Sequence, residues 1–267
     1  MSIASCRECQ SVVLWRYNIA DYEGQEIVDQ YNLALTSWSD TKKVWSLSII
    51  YWVVASILCV LFYPVMLSDA IARYAPMADA FAAGDWQLAF HPRFGVLFQV
   101  LAGSFAYLTR MPGDLACQVV SIAMLSFSAV PLWFLFESLF DRRTAYFCVA
   151  LLLVSDDFTR YAMDALRDSG KCLAFALIGL GVVKGKAHWF AFGAFILATL
   201  VSYGFAPSAV FVLGWTVYFA YRHEWRKVCP VVFAFVGATV LLSVMVHHYT
   251  GHYLPAPHYI NYLGGYL

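Results

Sequence analysis

The stretch WSLSIIYWVVASILCVLFYPVML, residues 45–67, runs for 23 positions without a charged side chain. A helix needs about 20 apolar residues to cross the hydrocarbon core of a bilayer, so this run predicts a membrane span. Further apolar stretches follow at 114–139, 144–156, 166–183, 187–204, 206–221 and 228–247. Together they predict an all-α, polytopic transmembrane helical bundle of about seven spans. Composition agrees, because with 61% hydrophobic and 13% charged residues the 267-residue chain has too few charges to coat a soluble globule. The formal net charge is zero, and no global field argues for a nucleic-acid partner.

Ahead of the first span, residues 1–44 carry mixed polar and charged side chains and read as a cytosolic N-terminal tail, with 45–267 as the membrane domain. The tail has no uninterrupted apolar core and no small-residue cleavage site, so it does not resemble a signal peptide. Cys6 and Cys9 form a lone CxxC without the second pair that a zinc ribbon requires. The other five cysteines, Cys59, Cys117, Cys148, Cys172 and Cys229, lie in or beside apolar runs, where a thiol behaves as a small hydrophobe, and no disulfide framework is implied.

Charge distribution sets the expected orientation. With the N-terminus inside, the tail and the loops FDRRTA, VKGKAHW and YRHEWRK hold 11 of the 17 basic residues, as the positive-inside rule requires. The remaining six, Arg73, Arg93, Arg110, Arg160, Arg167 and Lys171, fall in two outer segments, 68–113 and 155–171. Both segments are also rich in Asp. The exceptions to the topology rule therefore cluster with acids.

In the first outer segment, SDAIARYAPMADAFAAGDW predicts an amphipathic helix with Ser68 as N-cap, Asp69 in its first turn and Gly84 as C-cap. Asp69 and Arg73 are four apart and would share a face. HPRFGVLFQVLAGSFAYLTRMPGD then predicts a second helix, opened by Pro92 and stopped at the MPGD turn, with His91 and Arg93 at its start. Counting that helix as a span would invert every later loop, so it is expected to lie along the outer surface. Asp69, at headgroup depth beside Arg73, suits a general base toward a hydroxyl, and serves equally as a plain N-cap.

The second outer segment places Arg160, Asp164, Arg167, Asp168 and Lys171 on one predicted helical stripe leading into the next span. Ionisable residues entering a membrane helix are costly unless paired or facing water. Two readings fit: a hydrophilic cavity, or a salt-bridge face that neutralises itself. A cavity at headgroup depth lined by Arg and Asp suits a lipid-linked phosphate, the cations neutralising charge on the leaving group and an acid taking the proton of the incoming hydroxyl.

The order of these elements resembles the GT-C membrane glycosyltransferases, nearest to the protein O-mannosyltransferase, aminoarabinose transferase and Rgt-like group. The resemblance rests on Asp69 after the first span, GDW about 15 residues on, HPRF, FDRRTA and RYAMDALRDS. It covers roughly 45–204. It implies transfer of a sugar from a polyprenyl-phosphate donor to a hydroxyl acceptor on the non-cytoplasmic face, with Asp69 catalytic. Arg160 and Arg167 would bind phosphate and Asp164 and Asp168 would be second-acid candidates. Arg73, His91 and Arg93 complete the substrate-binding set, and some relatives use a divalent metal ion near such acids. Localisation in a bacterial inner membrane is the matching expectation.

Two departures shape the alternatives. Ala70 stands where many relatives carry an acid after the first Asp, and relatives continue through further spans beyond the equivalent of Leu267. The second departure implies a truncated chain, or a partner subunit supplying the missing C-terminal part. A non-catalytic membrane subunit and a lipid or solute transporter are the other classes the charges fit. The closing segment, with His247, His248, His252 and His258 among tyrosines, fits the headgroup zone better than a metal site.

Overall fold

A computed structural model describes residues 40–62, 70–90, 95–165, 167–200, 205–251 and 253. The chain divides into two units, Met1–Ser46 and Leu47–Leu267. Every regular element among the described residues is helical: α1 (Asp40–Phe62), a π-helical turn (Ala70–Tyr74), α2 (Ala75–Ala83), α3 (Trp86–Ala89), α4 (Val96–Thr109), α5 (Gly113–Leu139), α6 (Arg142–Val154), α7 (Asp156–Met163), α8 (Asp168–Lys184), α9 (Ala187–Leu200), α10 (Phe205–Tyr221) and α11 (Trp225–Thr250). Each of the seven apolar stretches thus contains a helix.

Among the described residues, three helices are long and apolar enough to cross a membrane: Asp40–Phe62, Gly113–Leu139 and, within α11, Trp225–Met245. The others are shorter. At 1.5 Å per residue the 13 residues of α6 reach about 20 Å, less than the roughly 30 Å of a hydrocarbon core.

The second unit is organised around α5. Its most apolar window is 67% buried, against 22% for α1 and 17% for the α11 span. An apolar helix without a polar face belongs inside a bundle, and Ile122, Leu125 and Trp133 of α5 are fully enclosed. Its serines satisfy themselves locally, Ser126 and Ser128 donating to the carbonyls of Ile122 and Leu125 at 2.6 Å. The helix packs against α2, α4, α6, α7 and α8.

Behind α8 a second core joins α8 to α11. Phe190 stacks on Trp215 at 4.3 Å between centroids, and the Trp215 indole donates to the Lys227 carbonyl at 3.0 Å, tying α10 to α11. The α8–α9 hairpin is tight because Gly193 lies against the backbone of Ala174 and Ile178, where a Cβ would meet atoms at 2.7 and 2.8 Å.

The first outer segment forms as expected at its end and differently at its start. Gly84 caps α2 with φ 80, a left-handed conformation that glycine adopts without strain. The α-helix, however, begins only at Ala75. Pro76 in its first turn lacks the N–H that a continuous helix would bond backward, and the turn before it is π-helical. Ser68, Asp69, His91, Pro92 and Arg93 lie outside the described residues. Trp86 packs edge-on against Phe81 at 4.9 Å and stacks on Phe90 at 6.0 Å.

Candidate functional site

The expected stripe from Arg160 to Lys171 is not one helix. The α7 helix stops at Met163, Ala165 takes φ 56, and α8 starts at Asp168. A buried alanine in the left-handed region stores strain of about 1 kcal/mol, which persists only where the surroundings dictate the backbone. The surroundings here are the core of the first outer segment: Ala165 lies in one buried cluster with Tyr74, Met77, Phe98, Cys117 and Leu200.

Breaking the helix separates the charged side chains into different environments. Arg160 stays exposed on α7, its Nε 3.9 Å from Oδ2 of Asp164, too long for a hydrogen bond and close enough for Coulombic attraction. Asp164 caps the end of α7 and is buried, with 9% of its surface exposed. Burial disfavours the charged form and holds its carboxyl above the usual carboxylate range, against the smaller opposing pull of Arg160. Asp168, on the first turn of α8, pairs with Lys171. Arg167 turns the other way, its guanidinium carbon 5.4 Å from the centroid of the Tyr74 ring, a cation–π contact.

That contact brings the two outer segments together. Tyr74 ends the π-helical turn that also carries the half-buried Arg73. Of the expected site residues, Arg73 therefore lies on the π turn and Asp164, Arg167 and Asp168 on the α7–α8 connection, two segments that the Arg167–Tyr74 contact joins at one junction. Arg160 lies at its edge. Asp69, His91 and Arg93 are outside the described residues, so their relation to the junction is not part of its geometry.

The floor of the junction is α5. Gln118, with no exposed surface, donates from Nε2 to the carbonyl of Met163 at 2.8 Å, and Ser121 Oγ lies 3.1 Å from Ser169 Oγ. One helical turn of α5 thus grips both sides of the strained connection. On the other flank Asp79 of α2 accepts from the Gly113 N–H at 2.6 Å, capping α5 from a different helix. Sequence reading missed Tyr74, Gln118 and Asp79 as site builders. Gln118 did carry a signal, as an amide inside the apolar run 114–139, where a polar side chain needs a partner.

Among the described residues no group of three or more His, Cys, Asp or Glu side chains is placed to hold a metal ion. Asp164 and Asp168 do not converge with a third ligand from that set, so they do not by themselves fit a divalent cation. Chemically, the junction offers a buried acid able to hold a proton and guanidinium groups suited to a phosphate.

A groove of about 510 Å³ lies beside it between α1, the end of α6 and α7. Its walls are Ile50, Val54 and Leu58 with Leu153, and its polar side is Tyr51, Asp156 and Thr159. The Tyr51 hydroxyl lies 3.0 Å from that of Thr159. Comparison of the chain with protein-family models, curated proteins and solved structures finds no match.

Proposed function

We propose that the chain is a membrane glycosyltransferase of the GT-C type, moving a sugar from a polyprenyl-phosphate donor to a hydroxyl acceptor on the non-cytoplasmic face. The observation that carries this reading is the seating of Arg167 on Tyr74, which ties the charged connection before α8 to the π turn of the first outer segment. In this reading Asp69 is the base, Arg73, Arg160 and Arg167 attract phosphate, and Asp164 holds a proton near the departing group. His91, Arg93 and Asp168 complete the substrate-binding set.

The reading includes seven spans in a bacterial inner membrane with a cytoplasmic N-terminus, the π turn and α2 to α4 lying at the outer surface. The short helices then cross where the bilayer thins around the protein or where neighbours extend them.

Sugar transfer from radiolabelled polyprenyl-phosphate donors to endogenous acceptors tests it, in membranes expressing wild type or Asp69→Asn at matched levels. Transfer by wild type alone supports an enzyme centred on Asp69. Equal transfer by both chains, or none by either, removes the reading and favours a non-catalytic subunit.

A further inference from the structure

The α7–α8 connection is held at two points by one face of α5, and the two holds differ in kind. Gln118 reaches the carbonyl of Met163, the last residue of α7, which the helix itself leaves without a donor. Three residues later on the same face, Ser121 meets Ser169 in the first turn of α8. Between these points the chain must carry Asp164 inward and turn through the left-handed Ala165. An alanine adopts such a backbone only when fixed on both sides.

Gln118 is built for this at a cost to itself. Its Oε1 is buried without a hydrogen-bond partner among the described residues, and a buried acceptor left unmade is unfavourable. A residue of the same shape without the amide would remove that burden. The one hydrogen bond its amide makes lies on the residue next to the buried acid.

We propose that Gln118 is a positioning residue for Asp164: by fixing the Met163 carbonyl it holds the α7–α8 connection in the conformation that buries the Asp164 carboxyl. Its consequence for sugar transfer rests on the function proposed above; the positioning itself does not. The nearby charges are Arg160 on α7, Arg167 and Asp168 on the connection and the start of α8, Lys171 on α8 and Arg73 on the π turn. Arg160 acts on Asp164, lowering its pKa against the larger effect of burial. Substituting the uncharged Gln118 or Ser121 leaves that set unaltered, so movement of the Asp164 titration reports a change in its burial.

The test uses the full chain in lipid nanodiscs and follows the protonated-carboxyl infrared band against pH, the Asp164 component being the one lost in Asp164→Asn. Gln118→Met keeps the side-chain volume and removes the unpartnered acceptor, so the fold is expected to persist. The Asp164 midpoint is expected to fall toward the ordinary Asp value, and Ser121→Ala to move it less. If Gln118→Met does not accumulate as folded protein, Gln118→Asn is read instead, since its amide is one methylene short of the Met163 carbonyl. An Asp164 midpoint in the folded variant equal to that of wild type overturns the proposal, as does a wild-type midpoint already at the ordinary value. Sugar transfer measured on the same samples separates the two ideas: a midpoint that moves in the variant while wild type itself transfers nothing supports the positioning role and removes the transferase reading.

Discussion

The Arg167 guanidinium rests over the ring of Tyr74, at 5.4 Å from its centroid, and so joins the connection before α8 to the turn before α2. Tyr74 is 4% exposed. Its ring also meets Phe98 of α4 edge-on at 5.7 Å. One aromatic side chain therefore serves both the hydrophobic packing of the first outer segment and the placement of a cation from the second.

Removing the π face at this point is expected to loosen both. Tyr74→Leu should lower stability by about 1–2 kcal/mol beyond the packing change, because a partly desolvated cation–π contact is lost. Tyr74→Phe keeps the ring and should stay close to wild type. Thermal unfolding of the two variants in the same nanodiscs checks this, and equal midpoints for Leu and Phe would sink it.

Asp164 makes stability depend on pH in a direction opposite to that of most surface acids. Burial raises its folded-state pKa, so the folded chain holds the proton more tightly than the unfolded one. Stabilisation by that proton is complete below the ordinary Asp value of about 3.9 and is lost as pH rises through the raised folded value. Asp164→Asn, a neutral isostere, should therefore be at least as stable as wild type at pH 7, and its advantage should shrink toward acid pH. Unfolding midpoints of both chains across that range decide it; a variant less stable at neutral pH contradicts the assignment.

Capping of α5 from α2 predicts a pair of effects. Asp79→Ala leaves the Gly113 N–H without its carboxylate acceptor and should cost about 1 kcal/mol, the usual value of a lost N-cap. Gly113→Ala should be worse, because a Cβ there would lie 2.4 Å from the Ala75 carbonyl oxygen, which belongs to backbone. Amide hydrogen exchange in the first turn of α5 reads both, with faster exchange expected in each.

Glycines in the helices should divide by what surrounds them. Gly193→Ala forces apart α8 and α9, since the new Cβ meets backbone of Ala174 and Ile178, and a loss of about 1–3 kcal/mol is expected. Gly237→Ala meets nothing within 4 Å and should be neutral or stabilise α11 by up to about 1 kcal/mol. Comparable losses for both variants would show that helix packing does not govern these positions.

The helices themselves were legible in the sequence because their signals are local. Apolar runs marked every long element, Gly84 marked the end of α2, and the charge bias of the loops separated two unusual segments from the rest. The π turn was also signalled, by Pro76, whose missing N–H interrupts a helix that side-chain periodicity alone would continue from Ser68. Periodicity misled at 160–171 for a different reason. No Gly or Pro breaks the chain between Met163 and Asp168; the break comes from outside, where Gln118 and Ser121 take hold of the two sides.

By itself, then, the sequence determined an all-helical chain of apolar segments and the residue types concentrated in its two acid-bearing segments, since hydrophobic length and charge are properties of each stretch alone. Tertiary structure decided that Asp164 is buried, that Ala165 is strained, and that Arg167 meets Tyr74. Those outcomes depend on α5 filling the centre of the bundle and presenting one amide and one hydroxyl at the spacing of a single helical turn. Contacts between residues so distant in the chain follow from how helices pack, and no local pattern of residues encodes them.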